Sequence, residues 1–209
     1  MFYNLKIKYL KNMKKYAIQE NIPIIPEETG IFLENFINTK KIVDILEIGT
    51  AVGYSALTMC NPTNRIQTLE RSKIYYQLAK KIFSHTPFNI EVIWTEALIY
   101  QPKKDYDLIF IDGAKSQYCK LFEKYQKFIK NNGFIICDNL NFHNLFNKQN
   151  NSKNVCKILK KIQAFKIYLK NNYFFKTTFI NVGDGLSISC KNFLPSEYIY
   201  FNDKINYPN

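Results

Sequence analysis

Ile42-Val43-Asp44-Ile45-Leu46-Glu47-Ile48-Gly49-Thr50-Ala51-Val52-Gly53-Tyr54-Ser55 is the stretch on which the fold turns. Ile42 to Ile48 is a mostly apolar run that reads as a buried strand ending at Gly49. The glycines let the backbone turn tightly, and a helix is expected from about Tyr54 to Cys60. The same alternation repeats downstream. Strands are expected at Ile66–Glu70, Ile90–Trp94, Tyr106–Ile111 and Gly133–Cys137. Helices are expected at Lys73–Phe83 and Gln117–Ile129, the latter with Leu121, Phe122, Tyr125, Phe128 and Ile129 facing the core. Short apolar strands between amphipathic helices imply an α/β fold, with a parallel sheet covered on both faces. A helix over 155–169 follows, with Val155, Leu159, Ile162 and Phe165 on one stripe. Two strands, Phe174–Val182 and Gly185–Cys190, meet at Gly183-Asp184-Gly185 and close the sheet as an antiparallel hairpin.

Upstream, Leu5, Tyr9, Met13 and Tyr16 share one helical face, with Lys6, Lys14 and Lys15 elsewhere. Pro23 and Pro26 interrupt the chain, and Thr29 is a candidate cap for a helix containing Phe32, Leu33 and Phe36. One domain over residues 1–192 is expected, with a helical segment over about 1–40 and a tail at 193–209. The chain has 209 residues and a net charge of +12. That excess points to an anionic partner, or to the codon bias of an AT-rich genome, since Lys, Asn, Ile, Phe and Tyr are abundant throughout. No apolar run is long enough for a membrane span, and the first fifteen residues lack the apolar core of a secretory signal. The five cysteines contain no CxxC pair, which argues against zinc and for free thiols in a reducing cytoplasm.

In an open α/β sheet, ligands bind beyond the carboxyl ends of the strands. Glu47 to Gly53, Glu70, Asp112 and Asp138-Asn139 all fall at such ends. The glycine loop is neither GxGxxG nor a phosphate loop. Glu70 closes the second strand, where a carboxylate accepts the ribose hydroxyls of an adenosine. The order strand, glycine loop, helix, strand, Glu therefore argues for a nucleoside cofactor.

These segments resemble the metal-dependent O-methyltransferases, a family that includes catechol and caffeoyl-CoA methyltransferases. Leu46 to Ser55 is similar to their first motif and Ile111-Asp112-Gly113-Ala114-Lys115-Ser116-Gln117-Tyr118 to their metal-and-base segment. Asp138-Asn139 is similar to their second metal motif, and Val182 to Ser189 to their terminal hairpin. The resemblance covers about residues 20–192 and is nearest to bacterial tRNA 5-hydroxyuridine methyltransferases. It implies the Rossmann-like doubly wound sheet of S-adenosylmethionine enzymes. It also implies that Gly49 and Gly53 shape the cofactor loop and that Ser55 binds the methionine carboxylate. Glu47 supports the loop or the methionine amine, Glu70 binds ribose, and Asp112 borders the cofactor. Glu96-Ala97 stands where relatives often have Asp-Ala beside adenine, and Ile25 matches a segment closing over the ligands.

Asp112, Asp138 and Asn139 form an all-oxygen set, which favours Mg²⁺ or another hard divalent cation over zinc. Capping by Asp112 and a turn at Asp138-Asn139 are the bland alternatives. A metal bound by two neighbouring ring oxygens lowers a hydroxyl's pKa, and Lys115, near that metal and partly desolvated, would be the general base. The transfer is then in-line attack on the sulfonium methyl.

The substrate expected first is 5-hydroxyuridine in a tRNA anticodon loop, converted to 5-methoxyuridine at the wobble position. Lys120, Lys124, Lys127 and Lys130, with Lys153, Lys157, Lys160 and Lys161, are candidate phosphate contacts or simply solvated helix faces. The alternatives are a small catechol-like or CoA-linked phenol, and a binding protein that has lost catalysis. No membrane partner is expected, and the resemblance implies a homodimer. His85 and His143 are isolated and read as surface or loop residues. Cys137 reads as a small core residue, and Trp94 as core or pocket wall rather than a stacking platform.

Overall fold

A computed structural model describes residues 2–141 and 152–191. His143 and the 193–209 tail lie outside the described residues. The chain order is α1 (Phe2–Gln19), α2 (Glu27–Lys40), β1 (Asp44–Ile48), α3 (Tyr54–Met59), β2 (Arg65–Glu70), α4 (Lys73–Phe83) and β3 (Ile90–Trp94). Then come β4 (Tyr106–Ile111), α5 (Tyr118–Tyr125), β5 (Ile129–Cys137), α6 (Lys153–Lys170), β6 (Phe175–Ile180) and β7 (Leu186–Lys191).

The strands form one seven-stranded sheet in the order β3-β2-β1-β4-β5-β7-β6. β1 to β5 pair in parallel, and β7 runs antiparallel to both β5 and β6. This is the doubly wound, mostly parallel sheet with a terminal hairpin that the sequence predicts. All five residues of β1 are buried, as a central strand covered on both faces requires. One face packs Leu33, Phe36, Ile45, Leu57 and Phe110 together. The other gathers Leu46, Ile48, Phe122, Ile135 and Phe165. Strand order reverses where β1 lies between β2 and β4. A crevice opens beyond the strand ends at such a reversal.

Four local expectations need correction. Lys6 is buried rather than on the wet side of α1, while Tyr16 is 40% exposed and Ala17 takes its inner place. The Lys6 ammonium is matched by Glu34 Oε1 at 2.7 Å and the Thr58 carbonyl at 2.7 Å. A buried ammonium is tolerated only with such partners. Thr29 caps nothing: it is buried within α2, which starts two residues earlier at Glu27, behind Pro26. Glu27 and Glu28 occupy that first turn, where negative charge suits the helix dipole.

The helix expected to run to Ile129 leaves the α form at Tyr125, and a 3-10 turn covers Gln126–Phe128. β5 then starts at Ile129, not Gly133. Its register against β4 shifts between Tyr106 and Leu108, and Asn132 has φ 61°. Asn131-Asn132-Gly133 is therefore an irregularity inside a strand and not a turn before one. Finally, Trp94 is not core: 53% of it is exposed on the edge strand β3.

Candidate active site

The parallel ladders continue past the strand ends. Gly49 N–H donates to the Leu69 carbonyl at 3.0 Å, Asp112 N–H to Ile48 at 3.0 Å, and Asp138 N–H to Ile111 at 3.1 Å. These bonds set Gly49, Asp112 and Asp138 side by side at the switch point. Gly49 has φ +107°, and a Cβ there would lie 2.1 Å from the Asp112 carbonyl oxygen. Only glycine permits that approach. Gly53, at φ +87°, faces the Phe83 ring at 2.5 Å from a hypothetical Cβ, so it packs the loop on α4.

A cavity of about 400 Å³ lies over these ends. Ile25, Gly49, Glu70, Glu96, Ala97, Asp112, Lys115 and Asn139 line it, as the sequence reading groups them. Glu47, Gly53, Ser55 and Asp138 are buried and do not line it. Glu70 accepts the Ala51 N–H at 2.8 Å on one oxygen and the Ser72 N–H at 2.7 Å on the other. Each oxygen keeps a lone-pair direction for a further donor, as ribose recognition needs. Glu96 is ion-paired to Arg71 at 3.8 Å.

Glu47 accepts from the Thr68 hydroxyl at 2.5 Å, and its Oε1 has no hydrogen-bond partner. Burial pushes its carboxyl up to about 8, against the opposing pull of Ser55 and Thr68.

At the neighbouring strand ends the carboxylates are also under strain. Asp138 is fully buried, and its Oδ1 accepts the Asn139 N–H at 2.6 Å. Its Oδ2 is buried without a partner. Burial, then the Asp112 charge, push the Asp138 carboxyl up to about 7. Burial also raises Asp112, with Lys115 opposing and Asp184 reinforcing the shift. Asn139 sits at φ 57°, a left-handed conformation that asparagine tolerates better than most residues.

An unpartnered buried oxygen on one of two mutually repelling carboxylates is what a hard divalent cation would relieve. Among the described residues no three Asp, Glu, His or Cys side chains converge as a metal cluster. The donors here are two carboxylates and one amide, so Asn139 completes the expected set. Lys115 lines the cavity from the 3-10 turn Lys115–Gln117, where its charge acts on Asp112 and Asp138.

Several contributors escape the sequence reading. Asp184 lines the cavity and acts electrostatically on both Asp112 and Asp138, although Gly183-Asp184-Gly185 signals only a turn. Tyr118 donates its hydroxyl to the Asp138 carbonyl at 2.9 Å, and Tyr125 donates to the Ala97 carbonyl at 2.6 Å. Helical periodicity marks Tyr125 as core, and both rings are buried, but it does not show what their hydroxyls hold. Lys124 is committed to the Leu98 carbonyl at 2.7 Å. Lys130 binds Asp44 and Asp107 at the opposite end of the sheet. Neither matches the expected phosphate contact, whereas Lys120, Lys127, Lys153, Lys157, Lys160 and Lys161 are exposed. His85 is exposed and Cys137 is buried, and all five cysteines are free. No helix among the described residues is long and apolar enough to cross a membrane.

Comparison with known proteins agrees with this geometry. A family model described as O-methyltransferase matches residues 3–192. A solved structure from Staphylococcus aureus, provisionally named a caffeoyl-CoA O-methyltransferase, superposes with a TM-score of 0.82 at 32% identity. That match covers 88% of this chain and 92% of the other. A Bacillus cereus O-methyltransferase in complex with SAH shares the fold, with a TM-score of 0.74, 23% identity and coverage of 88% and 90%. A relative from Thermoplasma volcanium, provisionally named a cobalt-precorrin-6B C(15)-methyltransferase, is 28% identical over 122 residues. That match takes in 56% of this chain and 61% of the relative's length.

Proposed function

The chain belongs to the O-methyltransferase family, and from that premise we propose that it moves the methyl group of S-adenosylmethionine onto an acidic ring hydroxyl, with 5-hydroxyuridine of a tRNA anticodon loop as the acceptor. The observation that carries the chemistry is the buried, unpartnered Oδ2 of Asp138, the chain neighbour of Asn139, which lines the cavity together with Asp112, Lys115 and Glu70. When bound, a divalent cation such as Mg²⁺ would supply Lewis acidity that eases proton loss from the acceptor hydroxyl. Asp112, Asp138 and Asn139 are the residues that would hold it.

The remaining work belongs to the chain. Glu70 accepts the ribose hydroxyls, and Ala51, whose N–H holds Glu70, fixes the loop at φ 45°. Glu96 and Ala97 border the adenine side, and Tyr125 anchors the Ala97 carbonyl. Ile25, with Pro23 and Ile24, walls the cavity and excludes water. Lys115 Nζ, in its neutral form, takes the hydroxyl proton, and the oxygen attacks the sulfonium methyl in line, forming the O–CH3 bond as the S–CH3 bond breaks and S-adenosylhomocysteine leaves.

Exposed lysines on α5 and α6 and the charge of +12 support an RNA acceptor. A second reading, a small catechol-like or CoA-linked phenol, is favoured by the Staphylococcus aureus relative's name. Both acceptors offer two adjacent ring oxygens, so the site chemistry is shared. Mass spectrometry of tRNA nucleosides from a strain lacking the gene separates them. The RNA reading expects 5-methoxyuridine to disappear and 5-hydroxyuridine to accumulate. Unchanged 5-methoxyuridine moves the assignment to the small phenol.

A further inference from the structure

The exposed face of β3 and α4 carries an ordered strip of rings and cations. Trp94, the only tryptophan in the chain, is 53% exposed at the end of an edge strand. Its ring stacks with Tyr76 of α4, with centroids 6.1 Å apart and planes 24° from parallel. Lys73 Nζ stands 5.5 Å from the Trp94 centroid, and Lys80 Nζ stands 5.3 Å from the Tyr76 centroid. The indole N–H is fixed on the Arg71 carbonyl at 3.1 Å, which sets the ring's angle. Arg71 itself lines the cavity, so the strip begins at the rim of the candidate active site.

Acidic groups near the strip are already engaged. Glu96 is paired with Arg71 at 3.8 Å, and Glu91 accepts from Gln67 at 2.6 Å. Glu91 also lies an odd number of positions from Trp94, so it points to the other face of the strand. The strip therefore combines an exposed indole and a half-buried phenol ring, whose hydroxyl accepts from Lys80 at 2.9 Å, with a surplus of positive charge. Packing does not require this arrangement, because a tryptophan ring normally gains by burial.

We infer that Trp94, Tyr76, Lys73 and Lys80 form a docking surface for a single-stranded segment of nucleic acid, whose bases stack on the rings and whose phosphates meet the cations. Aromatic platforms flanked by cations bind single strands with little sequence preference, because every base has a π-face. An acidic protein segment would satisfy the lysines but leave the rings without use. The inference rests on the RNA reading of the acceptor and adds where flanking nucleotides run. They leave the cavity past Arg71 and cross the edge of the sheet over α4.

Because Trp94 is the sole tryptophan, its own fluorescence reports on this surface. The full-length protein is titrated with a short single-stranded RNA while two signals are followed: tryptophan emission, and anisotropy of a dye on the RNA. Heparin and poly-glutamate serve as polyanions without bases. RNA should quench the emission, and the two polyanions should not. Trp94→Leu should weaken RNA binding about tenfold, with Trp94→Phe recovering most of it. Lys73→Gln should lower the slope of log affinity against log salt by about one.

Because the Trp94 side chain is exposed, thermal melts of these variants should match that of the native protein, which checks that folding is intact. RNA that binds by anisotropy without quenching, or that binds Trp94→Leu as tightly as the native protein, overturns the docking surface. Equal quenching by poly-glutamate assigns the strip to an acidic protein partner instead. Those outcomes leave the tRNA reading standing, since that reading fails only on the nucleoside analysis. Absence of any RNA binding overturns the docking surface as well.

Discussion

Strand β1 carries a buried carboxylate near each end, and the two ends are built in opposite ways. Asp44, at the start of the strand, faces Arg65, Lys104 at 2.6 Å and Lys130 at 2.9 Å. The Arg65 guanidinium leads these cations in holding its carboxyl well below the usual range. Lys130 also reaches Asp107, which accepts the Asp44 N–H at 2.7 Å. Glu47, at the other end, has one oxygen without a partner and a carboxyl pushed up to about 8. Asp138, two strands away at that same end, repeats the pattern. Charges at the first end are matched and stabilise the fold. At the second, burial opposes ionisation, and carboxylates raised in this way cluster where ligands are bound.

The largest effect that would test this contrast is at Asp138. Asp138→Ala should abolish methyl transfer while leaving the melting temperature unchanged or higher, because it removes an unrelieved buried charge. A fall in both, measured by transfer assay and thermal melt, would make Asp138 a structural residue like Asp44. Next is Lys115→Ala, expected to lower kcat about a hundredfold with S-adenosylmethionine affinity retained. Native turnover in that variant would remove Lys115 from proton transfer.

Asp44→Asn should do the reverse, costing about 2 kcal/mol of stability with kcat of the folded enzyme unchanged. Its pH signature has a definite sign. Because the folded-state pKa lies below the unfolded value, the Asp44 contribution is complete above the unfolded pKa and is lost as pH falls toward the folded one. The variant should therefore lose less stability than the native protein on acidification, and an unchanged acid limb would contradict the cation network. The smallest effect is at Glu47. Its raised pKa means that native stability declines as pH rises from the unfolded value toward about 8. Glu47→Gln should flatten that decline in melts taken across the interval, and an identical slope would show that burial does not disfavour the Glu47 anion.

Much of this was legible in the chain. β1 and β4 are short, mostly apolar runs ending at Gly or Asp, and such runs have few alternatives inside a covered sheet. The lining residues were legible because the doubly wound topology gathers strand ends, whatever their distance in sequence. Long-range pairings were not. Lys6 lies 28 residues from Glu34, so helical period alone placed it in water. The Trp94 ring looked like core because an edge position depends on strand order, which no local pattern encodes. The start of β5 was hidden because apolar spacing runs unbroken from Leu121 through Ile129. Asp184 was concealed by its flanking glycines, which fit a turn whether or not that turn faces a cavity.

The central claim is that the unrelieved carboxylates at the carboxyl end of the sheet serve cation-assisted O-methyl transfer. Its most direct test is transfer of labelled methyl from S-adenosylmethionine to tRNA bearing 5-hydroxyuridine, and in parallel to a catechol, before and after excess chelator. The account predicts that transfer to whichever acceptor is used stops with chelator and returns when Mg²⁺ is restored. Undiminished transfer in excess chelator would contradict it.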